Sequence, residues 1–268
     1  MKPEPIRSWG DYFIPGTRVL KNLPGIQDQQ QLTRYEEYRS MIRLMQISAN
    51  PIPGKFDYEH MKAIHRHLLQ DIYEWAGQER VAPTNGPMTK QYRDVVNYRV
   101  GDWAAPFVAY SYYPAGPALT SAAQSQFDAL ASKGLLVGLD RTTFVRELAQ
   151  TWGELNTIHS FREGNTRTQF VFFTQLARNA GYELDAAQFR VGSPLREEFV
   201  AARFYSQATG RNDRLANVLS LGITRLPDRQ QTSTLDAIRQ RARQLQAPSK
   251  TQSKNRPPQQ QGKQQPER

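Results

Sequence analysis

Four stretches of this 268-residue chain place apolar side chains three and four residues apart, a period that suits a helix and defeats a strand. In residues 56–77 (FDYEHMKAIHRHLLQDIYEWAG), Met61, Ile64, His65, Leu68, Ile72, Tyr73, Trp75 and Ala76 make one stripe, which predicts a helix ending near Gly77. A second helix is predicted over 31–49, closed by the breaker Pro51-Ile52-Pro53-Gly54. A third opens after Asp140, with Asp140 or Thr142 as its cap and Val145, Leu148, Ala149, Trp152 and Leu155 as its buried stripe. The fourth starts at about Asn165 and stops at Gly181. Between them, residues 81–118 are rich in Gly, Pro and aromatic side chains, with β-leaning runs at Val95–Val100 and Phe107–Tyr113. The expectation is a mostly α fold carrying a small β-hairpin. Trp75, Trp103 and Trp152 are expected in the core. Tyr110, Ser111, Tyr112 and Tyr113 read either as a buried strand or as an exposed docking edge.

Composition removes several classes of function. Cysteine is absent, which excludes disulfide scaffolds, thiolate zinc sites and thiol nucleophiles. No run of 18 apolar residues exists, and the start MKPEPIRSWGDYF lacks the layout of a secretory signal, so the expected compartment is the cytoplasm, with translocation into a target cell as an alternative. The net charge of +10 would suggest nucleic acid if it covered a folded face, but the last 33 residues hold eight positive side chains against two acids. From Gln244 onward the chain has eight glutamines and four prolines and little to bury. The expected organisation is a domain over 1–230, with a core at about 55–225 and an N-terminal helical extension at 1–54. A short helix at 232–245 then leads into a basic tail at 246–268, and nucleic acid is expected only at that tail.

The chemistry is concentrated between the third and fourth helices, in IHSFREGNTRTQ from Ile158 to Gln169. An imidazole (His159) stands at one end and a carboxylate (Glu163) follows four positions later. A Gly–Asn pair (Gly164, Asn165) then opens a helix whose first turn holds Arg167. Unpaired N–H groups and the positive end of the helix dipole favour an anion there, and a glycine lets it approach the backbone. Arg167 adds a fork of donors, Glu163 a hard oxygen suited to magnesium, and His159 a base of near-neutral pKa. On spacing alone, the same residues also fit an ordinary helix boundary. His60, His65 and His67 share a helix without zincin spacing and read as packing or surface residues.

The stretch His159-Ser160-Phe161-Arg162-Glu163-Gly164-Asn165-Thr166-Arg167 resembles the signature of Fic domains: His-Pro-Phe, any residue, Asp/Glu, Gly, Asn, Gly, Arg, two residues, Arg. Residues 64–80, 134–145 and 172–182 are similar to further family stretches in the right order, and the likeness spans roughly 10–225. The resemblance implies a Fic-type helical domain with a hairpin flap, and transfer of AMP from ATP to a Ser, Thr or Tyr hydroxyl of a target protein. It implies that His159 is the base and that Glu163 holds magnesium on the phosphates. Gly164, Asn165 and Thr166 would line the anion hole, with Asn165 positioning the α-phosphate and Arg167 neutralising the leaving pyrophosphate. The flap, within 81–113, would align the target strand.

Three positions depart from that pattern. Ser160 stands for the proline, Thr166 for the second glycine, and Phe170 for the second arginine. Transfer of another nucleotide, a kinase-type transfer of the γ-phosphate, and a non-catalytic nucleotide-binding module are the alternatives these leave open. The family's inhibitory motif, Ser/Thr-x-x-x-Glu followed by Gly or Asn, is not matched: Thr33–Glu37 and Ser193–Glu197 have the spacing but precede Tyr38 and Glu198. Control is therefore expected from a separate antitoxin-like partner, or the Glu–Arg mechanism does not apply. A toxin-like or effector-like role is expected.

Overall fold

A computed structural model describes residues 5–227; the helix expected at 232–245 and the tail at 246–268 lie outside the described residues. Helices α1 (Gln29–Ala49) and α2 (Tyr58–Leu69) come first, then a hairpin of β1 (Met88–Arg93) and β2 (Phe107–Tyr112). Helices α3 (Pro117–Ser132), α4 (Arg141–Ile158) and α5 (Asn165–Asn179) follow. A short antiparallel pair, β3 (Tyr182–Leu184) with β4 (Ile223–Arg225), brackets α6 (Leu195–Thr209) and α7 (Asp213–Leu221). The mostly α fold with one hairpin is the architecture expected from the helical periods.

Local chemistry sets these boundaries. Asp28, Asp57 and Asp140 each accept backbone N–H groups of the following first turn, and Asp140 rather than Thr142 caps α4. Helix α2 ends at Leu69, well short of Gly77. The N–H groups of Ile72 and Tyr73 both fold back onto the Leu69 carbonyl, so the apolar stripe runs on through turns that still bury Ile72, Tyr73 and Trp75. Residues 95–100 are not a strand. The Asp94 carboxylate accepts from the N–H groups of Val96 and Asn97 and bends the chain, and the first hairpin strand is β1 instead. Trp103 is 85% exposed in the hairpin connection, whereas Trp75 and Trp152 are buried as expected.

Helices α4 and α5 form the centre, and both carry the site. Trp152 stacks on Phe173 with ring centroids 4.4 Å apart, and its indole N–H donates to Gln169, whose amide donates on to the Leu155 carbonyl. This buried polar link fixes α5 against α4 at a set depth, because an unpaired amide there would cost about 1–3 kcal/mol. On the other side of α4, a Cβ at Gly153 would stand 2.1 Å from the Asn212 oxygen and 2.5 Å from the Ser206 hydroxyl, so glycine permits the approach of α6 and α7. Helix α1 is held more lightly. It buries Leu32, Ser40 and Ile47, and the Asp71 carboxylate binds Arg39 and Arg43 at 2.6 Å each.

Candidate active site

The loop from His159 to Gly164 joins the C-terminus of α4 to the N-terminus of α5 and is pinned from several sides. His159 caps α4 in the left-handed region (φ 52°), a conformation costly for a non-glycine residue that the surroundings must hold. Arg80, 1% exposed, supplies that restraint: its Nε donates to the His159 carbonyl at 2.8 Å, and its other nitrogens reach the carbonyls of Ile158, Ala82 and Tyr113. A cation at a helix C-terminus also meets the negative end of the dipole. Arg162 points the opposite way and stacks over Trp9, 4.1 Å from its ring centroid.

His65 completes the clamp from α2. Its Nδ1 accepts from the Gly77 N–H at 2.7 Å, which leaves Nε2 as the donor to the Glu163 carbonyl at 3.0 Å. The ring is fully buried, lies 3.8 Å from Phe161 in a stacked arrangement, and is pushed down to about pKa 4 by burial. It is a packing residue, as expected. Beside it, Gly164 adopts φ 78°, and a Cβ would stand 2.6 Å from Leu69 Cδ1. Glycine is required there on both counts.

The predicted site residues converge on this loop with differing freedom. The His159 imidazole is half-buried under the hairpin, its ring 4.2 Å from that of Tyr112 on β2. Burial, followed by the guanidinium groups of Arg80 and Arg203, pushes it down to about pKa 3, which corrects the near-neutral value expected from the sequence and leaves it neutral at physiological pH. Glu163 is partly exposed, and its Oε1 accepts the Gly164 N–H at 3.0 Å and lies 4.0 Å from an Arg167 nitrogen. Asn165 is spent on the loop itself: its amide oxygen accepts from Phe161 N–H and its amide nitrogen donates to the Phe161 carbonyl. Its contribution to an anion is therefore its backbone N–H, one of the first-turn donors of α5 left without a helical acceptor.

Arg167 is already paired. Its guanidinium binds the Glu36 carboxylate and, at 2.9 Å, the Ser40 hydroxyl, both on α1. Glu36 also accepts from the Tyr73 hydroxyl. The inhibitory motif stays unmatched, and the Glu–Arg pair seen here is a different one. Glu36, one position before the Glu37 that the motif spacing singles out, occupies the first arginine of the motif rather than the second. At the second arginine's position, Phe170 packs among Trp152, Phe189 and Phe199. Sequence reasoning missed Glu36, Arg80 and Arg203. They lie far from the motif in the chain, and the one local signal was Glu36 beside the rejected Thr33–Glu37 spacing.

The family model described as Fic/DOC family matches residues 55–177. Protein adenylyltransferase VbhT of Bartonella schoenbuchensis is 37% identical over 174 residues, covering 65% of this chain and 32% of VbhT. The probable protein adenylyltransferase y4lH of Sinorhizobium fredii is 35% identical, covering 65% of this chain and 78% of that protein. The chain thus spans about a third of the first relative and most of the second. Among solved structures, the BepC effector of Bartonella tribocorum, with AMPPNP bound, superposes with a TM-score of 0.64 at 21% identity, covering 81% of this chain and 98% of that one; it shares the fold. The chain belongs to the Fic/DOC family.

Proposed function

We propose that the protein is an adenylyltransferase that moves AMP from ATP onto a hydroxyl of a target protein. The observation that carries this reading is a neutral His159 imidazole set beside the open first turn of α5, with Glu163 partly exposed at its edge. In the transfer, the target hydroxyl gives its proton to His159 as its oxygen bonds the α-phosphorus, and the bond to pyrophosphate breaks. The backbone donors at Asn165, Thr166 and Arg167 hold the phosphate oxygens, and Arg167 meets the departing pyrophosphate once it leaves Glu36. Gly164 lets the phosphate approach. A single carboxylate beside phosphates suits magnesium, which commonly keeps several waters, and Glu163 is the residue that would hold it; the ion would neutralise phosphate charge. Among the described residues no three His, Asp or Glu side chains cluster to hold a metal, so Glu163 would share the ion with waters and the nucleotide's phosphates.

The target strand docks on β1. In the two-stranded hairpin β2 faces α6, with Gln207 donating to the Ser111 carbonyl, while β1 carries exposed Thr89, Lys90 and Gln91 and offers its outer edge. Tyr112 on β2 ties this flap to His159, so a strand added to β1 brings its side chains towards the base. Glu36 holds the site in check from within the chain, and a separate antitoxin-like partner would act by fixing α1 in this position. The compartment we propose is a cytoplasm, its own or that of a target cell, where ATP is at hand, in a toxin-like or effector-like role. No helix of the described residues is long and apolar enough to cross a membrane. The test is ATP labelled at the α- or the γ-phosphate: protein label from the α position alone supports AMP transfer, and label from the γ position alone makes the protein a kinase.

A further inference from the structure

We infer that Arg203, on α6 outside the motif, is a phosphate-binding residue of the nucleotide site and supplies the cation that Phe170 does not. This rests on the nucleotide-transfer reading above. Arg203 is 8% exposed, yet among the described residues its hydrogen-bond acceptors are neutral and no carboxylate pairs with it. Its Nη1 donates to the Thr166 hydroxyl at 2.9 Å and the Asn156 amide oxygen at 3.2 Å, and its Nε is buried with no acceptor. Burial pushes the group down to about pKa 10, which leaves it charged at any physiological pH. The other deeply buried guanidinium, Arg80, is accounted for by four carbonyls and needs nothing more. Arg203 has two neutral acceptors for five N–H donors, an arrangement that wants an anion.

Position supplies the anion's identity. Thr166 lies in the first turn of α5, so its hydroxyl places the Arg203 guanidinium against the same helix end whose backbone N–H groups are open. The face of Phe199, 4.9 Å from the guanidinium carbon, holds the group from behind. Two of the three departures from the family pattern, Thr166 and Phe170, then become one substitution in space. Threonine at 166 gives Arg203 an anchor, and Phe170, packed on the same Phe199, occupies the place where the motif's second arginine would begin. Helix α6 delivers the charge from the opposite side. The ligand chemistry is a phosphate ester of a nucleotide, since the donors are a planar fork and backbone amides.

The experiment is titration calorimetry of the full chain with magnesium-ATP and, separately, adenosine, for wild type, Arg203→Met, Arg203→Lys and Thr166→Val. Loss of a charge-assisted pair predicts ATP affinity about 10- to 100-fold weaker in Arg203→Met, partial recovery in Arg203→Lys, and unchanged adenosine affinity. Thr166→Val keeps the side-chain shape, removes the anchoring hydroxyl, and is expected to weaken ATP about 3- to 10-fold; it decides the matter if Arg203→Met fails to fold. Wild-type binding of ATP with equal affinity in Arg203→Met and Thr166→Val would overturn the inference and leave the nucleotide reading standing. Equal loss of ATP and adenosine would make Arg203 a purely structural residue. A wild type that binds no nucleoside triphosphate at all would overturn the nucleotide reading, and this inference with it.

Discussion

His65 and His159 are two imidazoles that the fold keeps neutral for different ends. His65 uses both nitrogens to hold Gly77 and the Glu163 carbonyl, and His159 stays unprotonated, as the role proposed for it as base requires. An unfolded chain titrates histidine near pKa 6.5, whereas these two sit at about 4 and about 3. As pH falls through that interval the unfolded state takes up protons that the fold refuses, so stability is fullest above about pH 6.5 and declines below it. Urea unfolding between pH 7.5 and 4.5 is expected to show this decline. His65→Gln, which keeps an acceptor and a donor but cannot titrate, is expected to flatten the slope by up to about 1.4 kcal/mol per pH unit in the acid range. An unchanged slope would mean that His65 is not excluded from protonation in the fold.

At the scale of elements, α1 and α5 meet through one pair of charges, Glu36 and Arg167. A carboxylate and a phosphate compete for the same guanidinium, so Glu36→Gln is expected to raise ATP affinity or transfer rate by about 3- to 30-fold, in proportion to the loss of one partly buried ion pair. Equal affinity and rate in the variant would make the pair a tie between helices and nothing more. The pair also marks what the sequence could and could not say. Helices α4 and α5 and the loop between them were legible because period, cap and loop chemistry all lie within a few positions of one another. Glu36 and Arg203 were not, since Glu36 reaches Arg167 across 131 positions and Arg203 reaches Thr166 across 37. The extent of α2 was misjudged because a buried turn prolongs an apolar stripe as well as a helix does. The hairpin's first strand was misplaced because Thr89, Lys90 and Gln91, exposed on β1, carry no alternation to read. The placement of Val95, buried against Tyr110 and Phe204, shows where the β-leaning residues went instead.

For the whole molecule, every described element and every residue assigned to the site lie within 5–227, while most of the net charge of +10 belongs to the last 33 residues. A chain ending at residue 227 is therefore expected to keep its unfolding free energy within about 0.5 kcal/mol and its nucleotide affinity, and to lose any salt-sensitive binding to DNA or heparin. A midpoint lowered by several degrees would show that the removed residues pack on the domain. His159 is the residue proposed to make this fold an AMP transferase. Intact-mass spectrometry of candidate target proteins, after incubation with the full chain, ATP and magnesium, tests it most directly. A mass gain of one AMP is expected with wild type, and its loss in His159→Ala, a general-base deletion worth about 100- to 10,000-fold. A gain of equal size with His159→Ala, a phosphate-sized gain, or no gain with any nucleoside triphosphate would contradict it.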